Sequence, residues 1–211
     1  MINVAQMKVL GIIINPQNDL MTNIAQARST ALNRLHQLKP LIAEVDDIDQ
    51  RRLILTSSVI SILRYCAPLY AGQTDTIKSI FHTAIMRVNR VIYNQNTFRT
   101  RCEKICRSIR MPMPKEILVK DSVILMHKLI VNKKPAQLYK MLQFPTRQTR
   151  NTLPQLNNRP DTERAKRGTL PTILRLYSSV PPNVRDLDIP AFKSIIARHN
   201  YQVLAEEFQR N

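Results

Sequence analysis

Apolar residues recur along most of this chain with the spacing of helix faces. Ile24, Ala27, Ala31, Leu35, Leu38 and Ile42 return every three or four positions and predict a helix over about 22–43. Leu53, Thr56, Ile60, Leu63, Ala67 and Tyr70 predict a second helix, apolar on most sides, which Pro68 should bend or end. Asp46, Asp47 and Asp49 precede it and offer N-cap oxygens. Ile77, Phe81, Ala84, Ile85, Val88 and Ile92 predict a third helix, capped by Thr74 or Asp75. Phe98, Cys102, Ile105 and Ile109 mark a shorter fourth. Leu118, Ser122, Leu125 and Leu129 line a fifth over about 114–131, and Pro135 opens a short helix through Leu142. Residues 170–177 read as another short helix, broken by Pro181 and Pro182. Phe192, Ile195, Ile196, His199, Val203 and Phe208 predict a last helix from about Pro190.

Two stretches depart from this period. Lys8, Val9, Leu10, Gly11, Ile12, Ile13 and Ile14 form a short β-branched run closed by Asn15 and Pro16, and read as one strand. A lone strand leaves its backbone N–H and C=O groups without a ladder. It must pair within residues 1–7, dock on another chain, or stay an exposed edge. Residues 144–170 are rich in Thr, Arg, Asn and Pro without any period, and read as a long polar loop. The expected fold is mainly α, a helical bundle with one short N-terminal β-strand and a long basic loop before a C-terminal helix. Its segments are a strand region over 1–15, the bundle over 16–110, further helices over 111–143, the Pro-containing basic loop over 144–189 and the last helix over 190–211.

Composition sharpens the picture. The 211 residues carry 32 Lys and Arg against 15 Asp and Glu, a formal charge of +17. Residues 1–50 are nearly neutral, and the excess lies after position 50. Such a charge calls for a polyanionic partner. Only 3 glycines argue against nucleotide-cradling loops, and 3 cysteines against a fully paired disulfide framework, which suits an intracellular protein of the nucleus or cytoplasm. The apolar runs are far shorter than the roughly 20 residues that span a bilayer, so no membrane role is expected.

Within the basic body, Arg87, Arg90, Arg99, Arg101, Lys104, Arg107 and Arg110 face a single acid, Glu103. Most neighbours in this series are three apart, which lays them along a helix. A planar guanidinium fork can bond two phosphate oxygens. The same run also fits a solvated helix face, although such faces normally mix signs. A second cluster, Arg147, Arg150, Arg159, Arg164, Lys166 and Arg167, lies in the loop and suits a nucleic-acid backbone, a basic linker or a targeting signal. Tyr93 and Phe98 flank the first stripe and are able to stack on bases, although Phe98 reads better as a buried residue.

The order of these elements resembles non-LTR (LINE-type) retrotransposon reverse transcriptases. The similarity runs through the Val9-Leu10-Gly11-Ile12 strand, the helix ending near Leu41, Arg51 and Arg52 leading into the next helix, and Ala67-Pro68-Leu69-Tyr70. It continues in His127-Lys128-Leu129-Ile130 with Lys134-Pro135, the Thr146–Arg150 loop, Leu176 to Pro182 with Val184-Arg185, and Phe192-Lys193. The resemblance implies the helical thumb and the C-terminal portion that follow the palm. The family's polymerase site is an Ala-Asp-Asp hairpin with an earlier Asp, upstream of the Leu-Gly strand, and no position here matches it. The implied role is therefore non-catalytic gripping of RNA or an RNA–DNA duplex through phosphates. A separate palm-containing polypeptide is the partner implied for the Lys8 to Ile14 strand. The alternative is a basic helical protein that packages nucleic acid or mediates interactions. The first reading needs a palm to cover the strand, whereas the second should fold alone or as a self-oligomer.

No other constellation reaches this far. Asp46, Asp47 and Asp49 lack the additional oxygen ligands and frame of a metal site. Cys102 and Cys106 lie four apart but lack further zinc ligands, so they read as core thiols. His36, His82, His127 and His199 are scattered and read as helix-face residues. No metal ligand set, catalytic residue or cofactor is expected.

Overall fold

The computed structural model describes residues 7–9, 12–14, 20–92, 111, 113–144, 153–157 and 168–198. It is mainly α-helical, with two small antiparallel strand pairs. The helix expected over Phe98 to Ile109 and the end of the last helix beyond Arg198 lie outside the described residues. The chain forms two compact units. The first comprises residues 1–66 and 74–114, the second residues 67–73 and 115–211.

In the first unit, strands β1 (Met7–Val9) and β2 (Ile12–Ile14) pair antiparallel, with Val9 opposite Ile12 and Met7 opposite Ile14. This corrects the single strand expected over residues 8–14. A continuous apolar run does not reveal a reversal, because the pattern is the same on both sides of the fold-back. The ladder partner of Ile12–Ile14 is Met7–Val9, so the pairing draws on the run itself and on Met7 just before it.

Helix α1 (Met21–Ala43) buries Ile24, Ala31, Leu35 and Ile42, and packs mainly against α5 (Asp75–Ile92). Helix α2 (Ile48–Leu55) opens with Asp47 as its N-cap, whose side chain accepts from the Asp49 N–H at 2.8 Å. The expected second helix is then interrupted by a π-helical turn over Thr56–Ile60 before α3 (Ser61–Arg64). A π turn closes i to i+5 bonds and shifts the register of everything beyond it. Leu55, Val59, Ile60 and Leu63 are buried, whereas Leu53, expected on one face with Ile60 and Leu63, is 70% exposed. The helical run then stops at Tyr65 and Cys66, just ahead of Pro68.

The second unit includes the short helix α4 (Ala67–Ala71) and centres on α6 (Pro114–Asn132). Val119, Val123, Met126 and Leu129 of α6 pack with Ile173, Leu176 and Tyr177 of α8 (Thr169–Ser178) and with Phe192 and Ile196 of α10 (Ile189–Arg198). Leu125, expected on the buried face, is exposed, and the buried face is broader than one stripe. Between α6 and α8, helix α7 (Ala136–Tyr139) ends earlier than expected. Leu142 lies instead in strand β3 (Leu142–Gln143), paired with β4 (Gln155–Leu156). The region expected to be loop thus contains one strand of a hairpin. Pro182 opens the short helix α9 (Pro182–Arg185). Helix α4 packs against α8, and Thr169 Oγ1 donates to the Leu69 carbonyl at 3.2 Å. Gly72 permits this approach, since a Cβ there would sit 2.7 Å from Gly168 C and from the Thr169 backbone.

Candidate nucleic-acid interface

Helix α5 carries the two described members of the first basic stripe. Its core face is the expected one: Ile77, Phe81, Ala84, Ile85, Val88 and Ile92 are all buried. That burial fixes the rotation of the helix, and the rotation decides where the arginines go. Arg87 is exposed and Arg90 half-buried. Together with His82, Thr83 and Met86 they line a hollow of about 440 Å³. These five residues are linked by helical spacings of three and four, so one strip of α5 supplies them all.

The electrostatics of this strip are one-sided. Asp75 is the only carboxylate side chain between Asp49 and Glu103. It stands at the first turn of α5 and pairs with Lys78 at 3.7 Å. Twelve residues separate it from Arg87, or about 18 Å at 1.5 Å per residue, roughly twice the physiological screening length of about 8 Å. Among the described residues neither Arg87 nor Arg90 has a carboxylate partner. The Nε of Arg90 is buried and unpartnered, and the neighbouring Asn89 is fully buried with both ends of its amide unpartnered. Arg51 holds the end of the helix in place. Its Nη1 reaches the Ile92 carbonyl at 3.5 Å while its Nε donates to the Val45 carbonyl. A cation at that end also suits the partial negative charge of a helix C-terminus. Chemically the strip is a place where an anion gains two guanidinium groups without displacing a carboxylate of the described residues.

Arg99, Arg101, Lys104, Arg107 and Arg110 lie outside the described residues, as do Arg147, Arg150, Arg159, Arg164, Lys166 and Arg167. Tyr93, Phe98, Cys102, Cys106 and His199 do so too. The acidic run between α1 and α2 serves as a cap through Asp47 and as an ion pair through Asp49, 3.1 Å from Arg52. Among the described residues no group of three or more His, Cys, Asp or Glu is placed to hold a metal. No helix among them is long and apolar enough to cross a membrane.

One polar arrangement was missed by treating the histidines alike. His127 is buried in the second unit, stacked on Phe192 with ring centroids 3.8 Å apart and planes 6° from parallel. Its Nε2 lies 3.0 Å from the Leu187 carbonyl, which only accepts, so Nε2 carries the proton. Nδ1 is then an acceptor, and the Tyr177 hydroxyl donates to it at 3.1 Å. Burial holds the imidazole below its ordinary pKa, against the Leu187 carbonyl and Asp188, which favour the charged form. Burial also pushes the Tyr177 phenol up to about 12, with Arg185 opposing and Asp186 adding to the rise. Both rings are almost wholly shielded from solvent, so the pair joins α6, α8 and the segment after α9 rather than meeting a substrate. The available signal was position: His127 follows Val123 by four and Met126 by one, inside the broad apolar face of α6.

No protein-family model, no curated protein and no solved structure matches this chain.

Proposed function

We propose that this chain binds nucleic acid, as the thumb and C-terminal portion of a retrotransposon-type reverse transcriptase. It grips template or primer–template through backbone phosphates and does not polymerise by itself. The observation that carries the reading is the strip of α5, where Arg87 and Arg90 border one hollow with no carboxylate partner among the described residues. The overall charge of +17 and the mainly helical architecture support it. Phosphate contacts of this kind position a duplex without reading its bases, so binding is largely sequence-independent.

A second reading has its own observation. The β1–β2 pairing gives the apolar N-terminal run an internal ladder partner. That is the behaviour expected of a basic helical packaging or interaction protein that folds without a palm.

Fluorescence anisotropy on an RNA–DNA hybrid across a salt series tests the binding. Each phosphate-held arginine contributes about 0.9 to the log–log salt slope. Arg87→Ala should flatten the slope by about 1, and Arg87→Ala with Arg90→Ala by about 2. Folded variants with an unchanged slope would show that the strip is only a solvated face. Palm dependence is tested separately, by hydrogen exchange at residues 7–14. Protection there equal to that of α3 in the isolated chain favours the packaging reading.

A further inference from the structure

The second unit carries a surface that the proposed function does not use. Leu138, Met141 and Phe144 are 39%, 50% and 38% exposed, an unusual density of uncovered apolar side chains in so short a stretch. Leu138 and Met141 are joined by a turn, with the Met141 N–H donating to the Leu138 carbonyl at 3.1 Å. Phe144 is fixed from one side by Tyr139, with ring centroids 5.3 Å apart. Lys133, Lys134 and Lys140, all exposed, flank them in the sequence. Residues 122–160 contain no Asp or Glu at all. Lys133 has φ 54, the left-handed conformation that ends α6 and turns the chain into this surface.

We propose that this surface docks an acidic amphipathic helix of a partner protein. The apolar side chains take its hydrophobic face, and the lysines take flanking Asp and Glu. Charge complementarity selects the occupant, since a rim of lysines without carboxylates accepts an anionic segment. A second copy of this chain would bring a like-charged rim against it, in a molecule of net charge +17. Of the three exposed apolar side chains only Phe144 is aromatic, and its ring already packs on Tyr139, which offers little to stacked bases. An unbranched, polarisable Met at the middle suits a surface that adapts to a helix. Helix α7 has four residues, too few to lie in a membrane interface as an amphipathic helix.

The test pans a display library of helical peptides against the full chain, then measures the enriched peptides by anisotropy. Enriched sequences should carry apolar residues at i, i+3 or i+4, and i+7, flanked by Asp and Glu. Met141→Glu should weaken them about tenfold, as should Lys133→Ala combined with Lys134→Ala. The lysine variant changes only exposed side chains, so it keeps the test valid if Met141→Glu lowers the melting temperature. Phosphatidylserine vesicles and an oligothymidylate are the counter-probes, and neither should respond to Met141→Glu. Enrichment of no such peptide, or enriched peptides indifferent to both variants, overturns the proposal. So does vesicle or oligothymidylate binding that Met141→Glu abolishes.

Discussion

Removing one oxygen atom tests how the core of the second unit is held. In Tyr177→Phe the ring and its packing remain, but His127 Nδ1 loses the hydroxyl that donates to it at 3.1 Å. A typical hydrogen bond contributes about 0.5–1.5 kcal/mol, whereas an orphaned buried acceptor costs about 1–3 kcal/mol. Because His127 is 1% exposed, water cannot take over the role, and the larger figure applies. His127→Phe keeps the stack on Phe192 but orphans two groups, the Tyr177 hydroxyl and the Leu187 carbonyl. The double variant orphans only the carbonyl, so it should be less damaged than the sum of the singles by about 1–3 kcal/mol. Urea unfolding followed by circular dichroism at constant pH closes the cycle. Additivity to within about 0.5 kcal/mol would refute the reasoning, since it would mean that the two side chains do not share a bond.

The remaining expectations concern pH and packing. His127 is held below its ordinary 6.5 in the folded state, so the unfolded chain takes up the proton first. Its contribution is fully present above pH 6.5 and falls as the pH drops below that, and His127→Phe should remove this acid-side slope. Tyr177 is raised from 10.0 to about 12, so its contribution is complete below pH 10 and is lost as the pH rises through 12. At 1.36 kcal/mol per pH step the alkaline loss reaches about 3 kcal/mol, and Tyr177→Phe should abolish it in a pH-jump unfolding series. Gly72→Ala drives a methyl into backbone 2.7 Å away and should destabilise the chain by about 1–3 kcal/mol; an unchanged melting temperature would contradict the close approach. Asn89→Leu removes an amide that is buried without partners and should raise the urea midpoint, by about 1–3 kcal/mol of stability at unchanged m. A lowered midpoint would show that the amide is bonded.

The parts of the fold that were legible are those in which one helix buries one face. In α5 the expected core residues are the buried ones, because a long helix with a single apolar stripe has only one way to face the core. The same certainty placed Arg87 and Arg90 on one strip. Where local pattern and tertiary structure part company, reading fails for definite reasons. The π turn at Thr56–Ile60 changes the register of its helix, so Leu53 no longer shares a face with Ile60 and Leu63. The β1–β2 reversal is hidden in a run that is apolar throughout. Strands β3 and β4 are two residues each and twelve apart, too short to show a period of two. His127 looks like any other histidine until Tyr177 arrives, fifty positions later, to donate to it.

The segment at 67–73 belongs to a unit whose other residues begin at 115, and its helix packs on α8. Synthesis meets this arrangement in an awkward order. Leu69 leaves the ribosome a hundred residues before Thr169, the side chain that bonds its carbonyl. At about 5–20 residues per second, that interval lasts roughly 5–20 s. Through it Ala67, Tyr70 and Ala71, all buried in the finished protein, have no α8 to lie against. The flanking stretches 1–66 and 74–114 are complete well before then and can close around each other, leaving 67–73 as a loop awaiting its partner. A nascent chain stalled before residue 169 therefore displays a small apolar handle, accessible to chaperones and proteases, that only the arrival of α8 removes.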